Sequence, residues 1–255
     1  MKTRLDVALV ERGLVDSRAK AQSLIMARRI LVNGLHVDKA GASVAADDEL
    51  AIEALEHPWV GRGGMKLAHA LAQFGIDVRG KVCADVGAST GGFTDVMLKS
   101  GAAKVYAIDV GYGQLDQSLR NDPRVVNREK VNARYLTAAD FEDAIDFVSV
   151  DVSFIPLKLI LPAVVTFLRG ELVALIKPQF EVGKGDVGKG GIVRDEAKRA
   201  AAVEGVLACA RELGLQVQGV IESPIKGAEG NVEYLMHATA GNPADLPATT
   251  PAPRP

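Results

Sequence analysis

From Met65 onward the sequence alternates strand patterns with helical patterns, and this alternation most restricts the folds the chain can adopt. Seven strand patterns follow one another: KVCADVG, KVYAIDVG, a weak VVN, FVSVDVS, ELVALIKP, LQVQGVIESP and VEYLMHATA. The last two are expected to pair antiparallel. Alternating strands and helices form a mostly parallel sheet with helices on both faces. We therefore predict an α/β, doubly wound, Rossmann-like domain over residues 65–240.

The first 57 residues have a different pattern, which predicts a separate small α+β domain. A short helix is followed by a second helix, which Asp16 or Ser17 can cap and which runs to about Arg29. Asn33-Gly34 then lies between two apolar triplets, which is typical of a tight hairpin.

Basic residues are concentrated in this small domain. Residues 1–39 contain eight Lys or Arg against four acids. Arg18 and Arg29 are eleven residues apart, about three helical turns, so they are expected to share a helix face. The charges are consistent with an ordinary solvated face or with a platform for RNA phosphates. The candidate RNA-binding residues are Arg4, Arg18, Lys20, Arg28 and Arg29.

Two segments outside the predicted domains have the composition of linkers or tails. Residues 58–64 contain three glycines and Trp59, the only tryptophan, and are predicted to link the domains. Trp59 is expected either to pack between the domains or to cover local apolar surface. Residues 241–255 are rich in Pro, Ala and Thr and are predicted to be disordered.

Bulk composition excludes several classes of protein. The net charge is −2, so any nucleic-acid surface must be local. Two separated cysteines and four scattered histidines do not predict a disulfide scaffold or a metal site. The longest apolar run, residues 159–168, is ten residues long, whereas a membrane span needs about 20. We expect a soluble cytoplasmic protein without metal.

The first strand of the large domain runs into ADVGASTGGFTD, residues 84–95, which predicts a ligand-binding turn at a helix N-terminus. The dinucleotide fingerprint would need glycine where Ser89 stands. An acid two residues before the first glycine, and Asp109 at the end of the next strand, instead favour S-adenosylmethionine. Asp85 would hold the ammonium of its amino-acid end, directly or through water, and Asp109 the ribose hydroxyls. The predicted cofactor-binding residues are Asp85, Gly87, Ala88, Ser89, Gly91, Gly92, Phe93, Asp109 and Asp151.

The segment GKGDVGKG, residues 183–190, resembles a phosphate loop only superficially. The residue that should be Ser or Thr is Gly190, and no helix is predicted there. A mobile basic loop that faces the substrate is the better interpretation. It would offer Lys184, Lys189 and Arg194 to RNA phosphates.

Four charged residues lie at positions that a methyltransferase sheet would bring to one edge. In the strand order 3-2-1-4-5-7-6, Asp151 ends strand 4, Lys177 ends strand 5 and Glu233 begins strand 7, while Lys66 begins the helix before strand 1. Each of these residues alone has an ordinary explanation as a surface charge or a cap. Their convergence at one edge predicts a catalytic site.

The sequence motifs also resemble known families. RLDVALVERGLVDSRAKAQSLIMARRILVNG resembles the S4 RNA-binding module, and the Lys-Asp-Lys-Glu set with DVGASTGGF resembles the FtsJ-like RNA ribose 2'-O-methyltransferases. Together with GGMKL, SVDVSFIPL, LIKPQFE, GKGGIVRD and EGNVEYL, they are similar to the TlyA family over about residues 2–240. The resemblance implies a seven-stranded methyltransferase domain preceded by an S4 domain.

The resemblance also implies an activity, namely methylation by S-adenosylmethionine of cytidine 2'-hydroxyls in 16S ribosomal RNA, 23S ribosomal RNA or both. The partners would be ribosomal RNA or ribosomal subunits. Lys177 would either accept the hydroxyl proton or, as a cation, orient the oxygen; Asp151 and Glu233 would position the lysines, and Lys66 would help to hold the hydroxyl. The alternatives are a membrane-active hemolysin, which the family's label suggests, and a non-catalytic RNA-binding factor for ribosome assembly.

Overall fold

The computed structural model describes residues 2–26, 29–53, 57–183, 185, 187–188, 190–227 and 230–241. The chain divides into two compact units, Met1–Pro58 and Trp59–Pro255. The predicted tail lies outside the described residues except for Gly241, and so do Arg28, Lys184 and Lys189. Within the described ranges, no helix is long and apolar enough to cross a membrane.

The N-terminal unit is a small α+β fold with its own core. Its elements are β1 (Thr3–Arg4), α1 (Leu5–Glu11), α2 (Arg18–Met26), β2 (Ile30–Val32), β3 (Leu35–His36), β4 (Ser43–Val44) and β5 (Leu50–Ile52). Strand β1 pairs with β4, and β2 lies between β3 and β5. The predicted hairpin is present, since Asn33 and Gly34 both have positive φ (52° and 78°) in the turn between β2 and β3.

The second helix of this unit begins where the sequence predicts but does not carry Arg29. The Ser17 hydroxyl accepts a hydrogen bond from the Lys20 backbone N–H at 3.2 Å, as an N-cap does. Arg29 lies beyond the helix and leads into β2, and its guanidinium donates to the backbone oxygen of Glu53. The expectation that Arg18 and Arg29 share one helix face is therefore wrong, because the chain must become extended to enter β2.

The second unit contains a seven-stranded sheet with helices on both faces. Its elements are α3 (Gly64–Phe74), β6 (Val82–Val86), α4 (Gly92–Lys99), β7 (Lys104–Ile108), α5 (Gln117–Arg120), β8 (Val125–Arg128), β9 (Ile145–Val150), α6 (Leu161–Phe167), β10 (Leu168–Ile176), α7 (Pro178–Glu181), α8 (Glu196–Glu212), β11 (Gln216–Glu222) and β12 (Tyr234–Thr239). The sheet order is β11-β12-β10-β9-β6-β7-β8. Strand β12 runs antiparallel to both neighbours, and the remaining strand pairs of this sheet are parallel. This order is the predicted 3-2-1-4-5-7-6, so the predicted fold class is confirmed.

Strand β10 shows why the central strands read as continuous apolar runs. Leu172, Ala174 and Ile176 belong to the core on one face of the sheet, and Val173 and Leu175 belong to the core on the other. Side chains alternate between the faces of a strand, so a strand that is covered on both faces needs apolar residues throughout. Charges on this strand therefore lie outside the stretch covered on both faces, as Glu171 does before it and Lys177 after it.

Trp59 packs against its own unit. Its ring belongs to the core that α3 and α4 share, and Lys99 Nζ lies 5.4 Å from the ring centroid. A side chain at Gly64 would lie 2.5 Å from Trp59 Cγ, so glycine is required where the ring meets α3. Trp59 therefore covers local apolar surface, which is the second of the two expectations.

Candidate active site

The glycine-rich turn after β6 has a backbone that few residues can adopt. Gly87, Ser89 and Gly91 all have positive φ, at 90°, 49° and 97°. A side chain on Gly87 would lie 2.2 Å from the backbone oxygen of Asp151. The turn therefore lies directly against the end of β9, and this close approach requires glycine.

A cavity of about 430 Å³ lies beside this turn, at the carboxyl ends of the central strands. Its apolar wall includes Ile108, Val131, Ile155 and Ile160, and Asp109 lies among them. Backbone N–H groups of Ser89 and Gly111 donate to the Asp109 carboxylate at 2.8 and 2.6 Å. These bonds fix the carboxylate while leaving it lone pairs for further donors.

An apolar slot beside an oriented carboxylate suits an adenosine, with the base in the slot and the ribose hydroxyls donating to Asp109. The residues present therefore fit the predicted S-adenosylmethionine. The backbone N–H groups of Gly87, Ala88 and Gly91 already donate to backbone oxygens within the protein, and these bonds fix the shape of the turn that borders the cavity.

A second cavity of about 220 Å³ adjoins the first. It is lined by Arg62, Gly63, Lys66, Gly87, Ala88, Ser89, Thr90, Gly92, Phe93, Asp151, Ile225 and Gly227. Gly87, Ser89 and Asp151 line both cavities, so the two meet at the end of β9. A ligand in one cavity would thus lie next to a ligand in the other, as two substrates of a transfer reaction must.

Asp85 lines neither cavity. Its carboxylate is fully buried beneath the turn and accepts hydrogen bonds from the hydroxyls of Thr94 and Ser149, at 2.7 and 3.1 Å. Burial raises the pKa of Asp85 to about 7, with a smaller contribution from the negative charge of Asp151. The structure therefore shows Asp85 supporting the turn from below, and a direct contact with the cofactor stays a prediction.

The four predicted catalytic residues form two ion pairs. Lys66 Nζ lies 2.5 Å from Glu233 Oε2, and Lys177 Nζ lies 2.6 Å from Asp151 Oδ1. The latter contact is close but not aligned as a hydrogen bond, whereas Lys177 donates a well-formed one to the Ser153 hydroxyl at 2.8 Å. Lys66, Lys177 and Glu233 are 8%, 9% and 2% exposed. Buried charges of this kind need partners, and each has one here.

Strand register explains why residues so distant in sequence meet. Ile176 of β10 pairs with Tyr234 of β12, so Lys177 and Glu233 are the next residues beyond the last pair. Asp151 directly follows β9, and its backbone N–H donates to Val86 of β6. The predicted convergence at one sheet edge is therefore present in the structure.

Sequence reasoning missed two residues next to Asp151. Ser153 holds the Lys177 ammonium, and Phe154 lines the larger cavity. The Phe154 side chain is 90% exposed, has φ of 63°, and contacts the Phe180 ring at 5.1 Å between centroids. An exposed phenylalanine in the left-handed region is unusual, because a bulky side chain disfavours this backbone conformation. Only its place in SVDVSF, directly after a strand end, could have drawn attention to it.

The predicted RNA-binding residues have varied surroundings. Arg4 and Arg18 contact the buried Asp6 carboxylate at 3.0 and 2.9 Å, although both side chains are more than half exposed. Hydrogen bonds, first of all from Arg4, hold the pKa of Asp6 well below its usual range. Lys20 and Arg194 are exposed. Arg4 and Arg18 therefore stabilise the N-terminal unit as well as presenting charge to solvent.

In the ranges that the structure describes, no group of three or more His, Cys, Asp or Glu could hold a metal ion.

Comparison with known proteins identifies the family. The model of the FtsJ-like methyltransferases matches residues 59–240, the whole region that contains both cavities. The chain belongs to the FtsJ-like methyltransferase family. The S4 domain model matches residues 3–50, in the N-terminal unit. This FtsJ-like protein is therefore an enzyme of the methyltransferase class with an S4 domain before it.

Full-length relatives share both parts. The chain is 49% identical over 238 residues to the 16S/23S rRNA (cytidine-2'-O)-methyltransferase TlyA of Mycobacterium tuberculosis, covering 92% of this chain and 89% of that protein. It is 45% identical to a protein named Hemolysin A from Brachyspira hyodysenteriae, covering 92% and 98%. A solved structure from Streptococcus thermophilus, provisionally named a hemolysin, has a TM-score of 0.75 and 44% identity, covering 96% and 90%. The resemblance to the TlyA family is confirmed.

Proposed function

We propose that this FtsJ-like protein transfers a methyl group from S-adenosylmethionine to the ribose 2'-hydroxyl of a cytidine in ribosomal RNA. The observation that carries the proposal is the pair of lysine–carboxylate contacts, because Asp151 lies where the two cavities meet and Lys66 lines the smaller one. The TlyA relative, whose name states this reaction, supports the choice of RNA and nucleotide.

The larger cavity would hold the cofactor. Asp109 would accept hydrogen bonds from the ribose, and the amino-acid end of the cofactor would lie against the glycine-rich turn. S-adenosylmethionine supplies a methyl group on a positively charged sulfur. As the ribose oxygen bonds to that methyl carbon, the carbon–sulfur electron pair remains on sulfur and the hydroxyl proton leaves.

Lys177 is the residue we assign to the reacting oxygen. An ammonium has three donors; Ser153 takes one and Asp151 lies against another, so one is left for the ribose hydroxyl. As a cation, Lys177 would orient the oxygen and stabilise its developing negative charge while water takes the proton. As a neutral amine, it would accept the proton itself.

Lys66 is positioned to make the second contact. It lines the smaller cavity together with Asp151, whereas Glu233 holds the Lys66 ammonium and does not line either cavity. The proposed division of roles is that the lysines hold the hydroxyl and the acids hold the lysines. Fixing the oxygen in line with the methyl group would supply much of the rate.

The N-terminal unit would bind RNA through exposed basic side chains, including Lys20 and the outer surfaces of Arg4 and Arg18. Its match to the S4 domain model supports this role. The partners would be ribosomal RNA or ribosomal subunits in the cytoplasm.

The test is methyl transfer from radiolabelled S-adenosylmethionine to purified ribosomal subunits and to their RNA, with the labelled nucleotide mapped. We expect label on a cytidine ribose.

Lys177→Ala should reduce transfer at least about 1,000-fold while calorimetry still shows cofactor binding. Asp109→Ala should instead weaken cofactor binding. Normal transfer by Lys177→Ala would contradict the assignment.

The same preparation separates the rival functions. Dye release from lipid vesicles without any methylated RNA would favour a membrane-active hemolysin. Tight RNA binding without transfer of label, for wild-type protein on every subunit preparation, would favour a non-catalytic assembly factor.

A further inference from the structure

Asn231 joins two segments of the chain near the proposed catalytic residues. It is only 3% exposed. Its side-chain amide donates to the backbone oxygen of Gly191 at 2.9 Å, and its side-chain oxygen accepts from the backbone N–H of Val193 at 3.1 Å. One asparagine thus fastens residues 191–193, which directly follow the predicted RNA-facing segment 183–190, to the loop between β11 and β12.

The loop that contains Asn231 also determines where Glu233 lies. The Asn231 backbone oxygen accepts from Gly227 at 2.9 Å, and Ser223 donates to the Glu233 backbone oxygen at 2.8 Å. A side chain on Gly227 would lie 2.0 Å from Glu233 Oε1. The Glu233 carboxylate is therefore packed against the loop that Asn231 closes, and the same carboxylate holds Lys66.

We propose that Asn231 is a positioning residue for methyl transfer. It holds the Glu233–Lys66 pair in place and connects that pair to residues 191–193, so these residues and the reacting ribose would be aligned by one hydrogen-bonded unit. Asn231 acts through Glu233 and lines neither cavity. The inference rests on the proposed function, because it assigns a role within that reaction.

The main test is the single-turnover methylation rate of Asn231→Ala. A small displacement of a reacting group can cost about 100-fold in rate, so we expect a loss of about 10- to 100-fold with cofactor affinity unchanged. Asn231→Asp keeps an acceptor for Val193 but loses the donor to Gly191, so it should be intermediate. Asn121→Ala is the matched control: the side chain of this exposed asparagine accepts a hydrogen bond from Gln117 at 3.0 Å, and its loss should leave the rate unchanged.

A double-mutant cycle with Glu233→Gln distinguishes positioning from general stabilisation. If Asn231 acts through Glu233, Asn231→Ala should slow the Glu233→Gln enzyme much less than it slows wild type, because coupled residues are non-additive. Equal slowing in both backgrounds would overturn the proposal. A residue with a merely structural role would instead lower the melting temperature, and its effect on the rate would add to that of Glu233→Gln.

Amide hydrogen exchange decides the matter if Glu233→Gln is too slow to measure. In Asn231→Ala, the amides of Val193, Gly227 and Ser223 should all lose protection together. Loss at Val193 alone would show that Asn231 secures only residues 191–193, and would overturn the link to Glu233.

Failure of this inference differs from failure of the proposed function. If Lys177→Ala and Glu233→Gln both methylate RNA normally, the proposed catalytic residues are wrong. If both are impaired while Asn231→Ala matches wild type, only the role of Asn231 is wrong.

Discussion

The two ends of the central sheet both carry lysine–glutamate contacts, yet only one end has the geometry of an active site. At the carboxyl end, Lys66 contacts Glu233 at 2.5 Å. At the amino end, Lys81 contacts Glu171 at 2.8 Å, and His237 lies 3.1 Å from the same carboxylate. Residue type and separation are therefore almost the same at both ends.

The difference lies in what surrounds each contact. Lys66 lines a cavity that meets a second cavity at Asp151, whereas Lys81, Glu171 and His237 line neither of these two cavities. Open α/β sheets bind ligands beyond the carboxyl ends of their strands, where the connecting loops separate. An ion pair in such a fold indicates chemistry only when strand direction places it at that end and space is left for a substrate.

The largest expected difference between the two ends of the sheet is in the effect on methyl transfer of removing the lysine. Lys66→Ala should reduce methyl transfer at least about 100-fold, because a contact to the ribose oxygen and its alignment are lost. Lys81→Ala should leave the rate within about twofold of wild type and change only stability, by about 1 kcal/mol or less. Rates on ribosomal subunits and melting curves of both variants test the comparison. Equal loss of rate in the two variants would refute it.

The second effect concerns Asp85, which lies beneath the carboxyl end of the sheet and accepts hydrogen bonds from two hydroxyl groups. Its pKa rises from an ordinary 3.8 to about 7 in the folded protein, so the folded state binds the proton more tightly. The contribution of this proton to the free energy of unfolding is fully present below about pH 4. It falls by on the order of 4 kcal/mol as the pH rises towards 7. Asp85→Asn should remove this slope from unfolding free energies measured across the same range.

Asp6 is the natural reference for that experiment. It is equally buried, but Arg4 and Arg18 hold its pKa well below its usual range. Its contribution has the opposite sign and is lost only when the pH falls below about 4. An Asp85→Asn protein that keeps the slope between pH 4 and 7 would show that another group is responsible.

The smallest of these effects is expected at Phe154, at the mouth of the larger cavity. Its exposed ring offers a surface on which an RNA base can stack, and such stacking is worth about 1–3 kcal/mol per base. Phe154→Ala should weaken RNA binding by that amount, and Phe154→Tyr should bind RNA normally. Phe154→Gly also removes the ring but suits the left-handed backbone, so it separates loss of the ring from backbone strain. Unchanged RNA affinity in both Phe154→Ala and Phe154→Gly would exclude stacking.

Much of this molecule could be predicted because its signals are local. The run LVALI predicts the burial of β10 on both faces, Asn33-Gly34 predicts the hairpin, and the glycines of residues 87–92 predict the tight turn after β6. The order of alternating elements then predicts which strand ends are neighbours, and so brings Asp151, Lys177 and Glu233 to one edge. The predicted helix ends were less accurate, since α2 was expected to run to about Arg29 and Arg29 lies outside it.

The sequence by itself determined which charged residues end the strands, because strand direction and order follow from local patterns and chain connectivity. Only the tertiary structure decided the partners: Lys66 with Glu233, Lys177 with Asp151 and Ser153, and Asn231 with Gly191 and Val193. Such pairings depend on ångström distances between side chains that are far apart along the chain. Those distances are fixed by packing, and no periodicity in the sequence records them.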